Sequence, residues 1–217
     1  MLKRNGYSKL ALLMFENTTD VESLKVQLTS EYSENDLMSY LQNEDPLVGR
    51  AAATALGIVG GMNVVPVLVA NLKNEDFRTS LITEAALWNI WSRSGDESVD
   101  EMLIVGKKYL ADENLLEAVK QFSSVIEASP DFAEGYNQRA IVYYVMERWN
   151  NALEDCLQAI ELNPHHFGAF AGMGHVYLRL GQIDKAVDAY RKALKINPNL
   201  VSIANTLRQL QHVLHEE

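Results

Sequence analysis

Residues 167–200 read FGAFAGMGHVYLRLGQIDKAVDAYRKALKINPNL, and the stretches before them, 133–166 and 99–132, repeat the same pattern at a spacing of 34. Pro130, Pro164 and Pro198 share one register, as do Ala118, Ala152 and Ala186, and likewise Tyr109, Tyr143 and Tyr177. Small residues recur at Gly106, Ala140 and Gly174, and aliphatic ones at Ile126, Ile160 and Leu194. Five registers kept through three copies without an insertion mark a true internal repeat, one supersecondary unit stacked on its neighbours.

Each copy predicts two helices. Met102, Val105, Gly106 and Tyr109 fall at i, i+3, i+4 and i+7, one stripe of a helix. Ala118, Phe122, Val125 and Ile126 form the stripe of a second helix, which Pro130 ends. The small residue at 106, 140 or 174 lets the two helices approach, and Phe122 or Tyr190 (Cys156 in the middle copy) fills the space between them. Such a hairpin cannot bury its apolar face alone, so neighbours must stack.

These residues resemble the tetratricopeptide repeat family. Its pattern of aromatic-x2-L-G-x2-Y, then A-x3-F, then P stands here as Phe170-x2-Met173-Gly174-x2-Tyr177, Ala186-x3-Tyr190 and Pro198. The other copies open at Met102 and Tyr136. The resemblance covers residues 99–200 and implies a right-handed superhelix of antiparallel helix pairs, with repeats at 99–132, 133–166 and 167–200. Residues 201–217 begin a fourth copy with Ile203, Leu207, Leu210 and Leu214, and look like the helix that covers the last repeat in such proteins. The stretches IWSRSGDESVDEML, PDFAEGYNQRA and HHFGAFAGMGHVYLRLG are also similar to a group of bacterial tetratricopeptide proteins.

A second period, of 31, runs through residues 41–91: LQNEDPLVGRAAATALG from Leu41 aligns with LKNEDFRTSLITEAALW from Leu72. Leu41/Leu72, Asn43/Asn74, Glu44/Glu75, Asp45/Asp76, Ala55/Ala86 and Leu56/Leu87 are identical. Asp45 and Asp76 each stand just before an apolar helix, as a cap or first-turn acid should. The pattern is similar to short HEAT-like repeats. Residues 1–40 read as helical from Leu10, Leu13 and Met14, then Val21, Leu24 and Leu28, but the 31-residue register fades there. They are either a degenerate repeat or an amino-terminal cover. The expected fold is an all-α solenoid, HEAT-like over 1–95, tetratricopeptide over 96–200, with a capping helix over 201–217.

Composition excludes several classes. Of 217 residues, 47% are hydrophobic and 22% charged, which predicts a packed core rather than disorder. The net charge of −10 is shared: 8 basic and 13 acidic residues over 1–98, 11 and 16 over 99–217. Neither half has the basic excess that a phosphate backbone requires, so nucleic acid is not an expected partner. The charge-free run from Ala51 to Leu72 is long enough for a bilayer, but Gly60-Gly61, Asn63 and Pro66 break it into two helices joined by a turn. No signal peptide is expected either, because the apolar stretch from Leu10 to Phe15 is short and ends at Glu16. A single cysteine, Cys156, fits a reducing, cytoplasmic setting.

Catalytic constellations are not found: no phosphate loop, dinucleotide fingerprint, nucleophile elbow or paired-His zinc helix occurs. Cys156 occupies a core slot and reads as a small hydrophobe. His165, His166 and His175, and His212 with His215, lack the cysteine or acidic company of a metal site, so neither metal nor cofactor is expected. Trp88 and Trp91, three apart on one helix face, read as core packing or, in the sharper alternative, as an aromatic wall for a ligand.

One step round the first helix of each repeat runs a second line: Leu103, Lys107, Leu110; Asn137, Ile141, Tyr144; Ala171, His175, Leu178, with Arg179 beside it. In the tetratricopeptide architecture these offsets line the concave face where partner segments bind, or else they pack between repeats. The resemblance therefore implies a non-enzymatic interaction scaffold that takes a protein or peptide partner, with a second copy of the chain as another occupant. Members that clamp a chaperone's acidic tail carry Lys and Asn, then Asn, then Lys and Arg. The matching positions here are Leu103, Lys107, Gln138, Gly168 and Gly172, so such a clamp is not expected. Short HEAT-like repeats also occur in chromophore-attachment lyases, which gives the alternative of an accessory factor holding a small ligand near Trp88 and Trp91. Arg139 stands in a core slot and needs a carboxylate, either Glu134 or Asp155.

Overall fold

The computed structural model describes residues 6–16 and 20–215, with side chains described for residues 9–14 and 20–211. Those residues form α-helices joined by short turns, without a strand, and divide into two compact units, Met1–Trp91 and Ser92–Glu217.

The first unit holds α1 (Gly6–Glu16), α2 (Val21–Glu31), α3 (Glu34–Tyr40), α4 (Pro46–Val59), α5 (Val65–Asn71) and α6 (Phe77–Trp91). Side chains mark several helix starts. The Asp20 carboxylate accepts from Glu22 and Ser23 N–H, Ser33 and Asp36 form a reciprocal capping box, and Asp45 accepts from Leu47 N–H just before Pro46 opens α4. Helix α4 packs against α1, α2, α3 and α6. Its alanines allow this: Ala51, Ala52, Ala53 and Ala55 are all buried, and a Cβ on Gly57 would lie 2.9 Å from the Ala86 Cα of α6. Leu10, Leu24, Leu28, Leu37 and Leu56 complete that core, whereas Val21, read from the sequence as part of an apolar stripe, is 60% exposed on the first residue of α2.

Asp76 does more than cap α6. It accepts from Thr79 N–H at 2.8 Å and from the Thr79 hydroxyl, and takes a two-pronged ion pair from Arg50 of α4, Nε at 3.0 Å and Nη2 at 2.8 Å. The hydrogen bonds of Thr79 and then of Arg50 hold its carboxyl down at about 2. The 22-residue uncharged run is split as its glycines dictate, with α4 ending at Val59, a 3-10 turn over Met62–Val64 and α5 beginning at Val65. No helix among the described residues is long and apolar enough to cross a membrane.

The second unit is a run of hairpins: α7 (Glu97–Ala111) with α8 (Leu115–Ala128), α9 (Ala133–Val145) with α10 (Trp149–Leu162), α11 (Phe167–Arg179) with α12 (Ile183–Ile196), then α13 (Val201–His215) on α12. Phe122 and Tyr190, both fully buried, press on Gly106 and Gly174, where a Cβ would overlap their rings. Cys156 fills the same slot opposite Ala140. Each hairpin turns the same way. Glu113, Glu147 and Gly181, spaced by 34, adopt φ of 58°, 58° and 71°. The next N–H bonds back to the carbonyl of Tyr109, Tyr143 or Tyr177 at 2.8–2.9 Å, which closes a Schellman motif three times.

The stripe expected on α7 needs correction. Val105 is 41% exposed, whereas Leu103 is 1% exposed and joins Phe122, Phe132 and Val142 in the first core cluster. Helix α7 packs on α9 as well as α8, so its buried face turns toward Leu103. Ile203 of α13 is buried with Ala186 and Tyr190, and Leu207 and Leu210 pack beside them, so α13 covers the last hairpin. The side chains of His212, Leu214 and His215 lie outside the described residues.

Candidate functional site

Within the second unit the first helices meet one another, α7 with α9 and α9 with α11, while the second helices make no comparable contact among themselves. A stack that is closer on one side than on the other curves toward the close side, so the first helices line the inner wall.

Two polar groups staple that wall. Near the amino ends of α9 and α11, Glu134 is 1% exposed and its carboxylate accepts from Asn137 Nδ2 at 3.1 Å and Gln138 Nε2 at 2.7 Å. His166, wholly buried, caps α11: its Nδ1 accepts from Ala169 N–H at 3.1 Å, which leaves Nε2–H to donate to Glu134 at 3.0 Å. Lys107 of α7 lies 3.6 Å from the same carboxylate and donates to the Ser92 hydroxyl at 3.2 Å. Burial works to raise the Glu134 carboxyl, but the interactions with His166, and then the Lys107 charge and the Gln138 amide, outweigh it and hold the group below its ordinary value.

The second staple stands at the other end of the same helices. Arg179 Nε–H donates to the Tyr144 hydroxyl at 3.1 Å, and the guanidinium stands over the Tyr144 and Trp149 rings, 5.9 and 5.8 Å from their centroids. Tyr144 meets Trp149 edge to face at 5.2 Å and His175 at 6.2 Å. Burial, and then the Arg179 charge, lower the His175 ring below its ordinary value, and its Nδ1 shares a hydrogen bond with the Tyr190 hydroxyl at 2.7 Å. Desolvation of Tyr190 raises its phenol.

The expected contact line divides accordingly. Leu103 at 1% and Asn137 at 4% exposure have no surface to offer a partner; they support the wall from behind. Leu110 packs against the first core cluster, and Ala171 and Leu178 against the last. Lys107, Ile141, Tyr144, His175 and Arg179 keep accessible surface on the wall, with Ile141 40% exposed. Sequence reasoning missed Val145, 52% exposed one turn beyond Ile141, and the roles of Glu134, His166 and Trp149. The 34-residue register carries a signal for the pair: Glu134 and His166 are 32 apart, nearly one repeat, which brings them side by side on adjacent hairpins.

Elsewhere, Arg139 takes Asp155 rather than Glu134, with Nε and Nη2 each at 2.8 Å from its carboxylate, Nη1 on the Ser123 hydroxyl, and the Tyr136 and Tyr143 rings beside it. Burial pushes the Cys156 thiol up to about 12, which leaves no thiolate for nucleophilic work at neutral pH. No group of three or more His, Cys, Asp or Glu among the described residues is placed to hold a metal ion. Trp91 is 3% exposed and meets half-buried Trp88 edge to face at 5.3 Å. A cavity of about 560 Å³ lies between α1 and α4, lined by Leu12, Met14, Leu47, Val48, Ala51 and neighbours, and the two tryptophans are not among its walls.

Residues 133–166 and 168–200 match the tetratricopeptide repeat family, and residues 21–90 match HEAT repeats. These matches place two tetratricopeptide repeats in the second unit, on α9–α12, and HEAT repeats over most of the first. The HEAT match takes in α2 and α3, where the 31-residue register fades. Over 101 residues the chain is 37% identical to DnaJ homolog subfamily C member 3 of Bos taurus, covering 46% of this chain and 20% of that protein. A TPR repeat-containing protein of Rhizobium etli is 27% identical over 134 residues, 60% of this chain and 65% of its own. This chain thus spans a fifth of the first relative's length and less than two thirds of the second's. Among solved structures, the first TPR of Spaghetti (RPAP3) bound to an HSP90 peptide superposes with a TM-score of 0.52 at 24% identity, covering 54% of this chain and 93% of that one. The Sgt2 TPR domain of Aspergillus fumigatus gives 0.53 at 18%, covering 56% and 82%. At these identities the likeness is one of fold.

Proposed function

We propose that this chain is a protein-interaction module that works by binding rather than by catalysis, its tetratricopeptide unit holding an extended or helical segment of a partner protein along the inner wall. The observation that carries this reading is the set of apolar side chains left uncovered there: Ile141 and Val145, 40% and 52% exposed one turn apart on α9, with Tyr144 between them. Uncovered aliphatic surface flanked by hydrogen-bonding groups is the composition of a recognition face. A fold relative supports a peptide as the kind of partner, since the first TPR of Spaghetti is bound to an HSP90 peptide. The side chains differ from the chaperone-tail clamp, for Leu103 is buried and Gly168 and Gly172 offer no cation. The partner is therefore read by other residues. Proteins captured from the native lysate by the full chain should be lost with the Ile141→Ser, Tyr144→Ala, Val145→Ser variant while far-ultraviolet circular dichroism stays unchanged. Equal capture by both proteins would overturn the reading.

A further inference from the structure

Arg179 is only half engaged. Its Nε–H is committed to the Tyr144 hydroxyl and its plane to two aromatic rings, yet its Nη groups make no hydrogen bond or ion pair among the described residues. Glu147 acts on it through its charge. A guanidinium steadied by rings loses little orientational freedom when it binds, and its fork matches a carboxylate with two parallel hydrogen bonds. The exposed aliphatic pair Ile141 and Val145 stands on the same helix as Tyr144. In a chain of net charge −10, a cation left unneutralised beside apolar surface marks one place where an anion is favoured over its surroundings.

We infer that Arg179 reads a carboxylate of the bound segment through its Nη groups, beside an aliphatic residue of that segment seated on Ile141 and Val145. This rests on the inner-wall reading above and adds the chemistry of its ligand. Tyr144 and Trp149 are positioning residues: they fix the plane of the fork and do not themselves take the charge. Glu147 opposes the incoming carboxylate and tunes its affinity. The carboxylate comes from an aspartate or glutamate side chain or from a chain terminus, two sources with one recognition chemistry.

The test uses the full chain and a displayed random heptapeptide library. Selected peptides are synthesised with free-acid and with amidated carboxyl ends, then titrated by fluorescence anisotropy at fixed salt. The expected peptides carry an Asp, a Glu or a free terminus next to Leu, Ile, Val or Met. Arg179→Gln should weaken them about tenfold to a hundredfold, the range for loss of a charge-assisted pair. Arg179→Lys should restore only part of that, because a point charge lacks the fork. Glu147→Gln should tighten binding, and amidation separates a terminal source from a side-chain source. If the selected peptides lack carboxylates, or bind Arg179→Gln within about twofold of wild type, while losing affinity for Ile141→Ser, the Arg179 assignment falls and the inner-wall reading stands. If no peptide is selected, or binding ignores both substitutions, both fall.

Discussion

Two glycines on one helix, Gly172 and Gly174, carry opposite instructions. A Cβ at 172 would meet only the Cys156 Sγ at 3.4 Å, an ordinary contact, whereas one at 174 would overlap the Tyr190 ring, with Cδ1 at 2.6 Å. Gly172→Ala should therefore stabilise the chain by about 0.5–1 kcal/mol through helix propensity. Gly174→Ala should destabilise it by up to about 2 kcal/mol, overpacking of about 1–3 kcal/mol exceeding the same propensity gain. Urea midpoints of the two variants check both signs. The need for a small residue at 174 was legible from the 34-residue register, because the same slot holds Gly106 and Ala140. The freedom at 172 was not, since it depends on the opposing helix carrying the short Cys156. The candidate site was legible to the same degree. Helical offsets found Tyr144, His175 and Arg179, but they could not tell that Leu103 and Asn137 are covered by the neighbouring hairpin. Nor could they choose between Glu134 and Asp155 for Arg139, because only the packing of α9 on α10 brings one of the two acids to it.

At the scale of the element, the hairpin turn is the part that periodicity hid. Prolines and alanines announced where helices end and touch, and the helix pairs lie where they predicted. The turn residue itself is Glu, Glu and Gly in the three copies, and nothing in a glutamate announces a left-handed backbone. In the first two repeats this geometry is imposed by the Schellman hydrogen bonds rather than chosen by the side chain. Glu113→Gly should accordingly stabilise the tetratricopeptide unit by about 0.5–1 kcal/mol, the relief of the left-handed strain less the added freedom of glycine in the unfolded chain. Chemical denaturation followed at 222 nm measures it, and a loss of stability would mean that the Glu113 side chain contributes contacts the turn geometry does not require.

For the whole molecule, each unit contains a carboxylate whose proton affinity falls on folding: Asp76, clasped by Thr79 and Arg50, and Glu134, held by His166, Lys107 and Gln138 against the opposing effect of burial. A group with a depressed folded value binds its proton more readily in the unfolded chain. Its contribution is complete above the unfolded values of 3.8 and 4.5 and is lost as pH falls toward the folded ones. Acid should thus weaken the second unit below about pH 4.5 and the first below about pH 3.8. Asp76→Asn should flatten the pH dependence of the first unit and Glu134→Gln that of the second, each at lower overall stability. Trp88 and Trp91 report on one and Trp149 on the other, so single-tryptophan variants followed by fluorescence separate the two transitions. An unchanged acid midpoint in either variant would contradict the linkage. The Glu134–His166 bond has a mechanical side as well. The imidazole that grips Glu134 also caps α11, so the tie between the second and third repeats and the start of α11 share one side chain. Between the first and second repeats the matching tie is a lysine at 3.6 Å, which can let go without unwinding anything. The later joint is thus coupled to the start of a helix, and the earlier one is not.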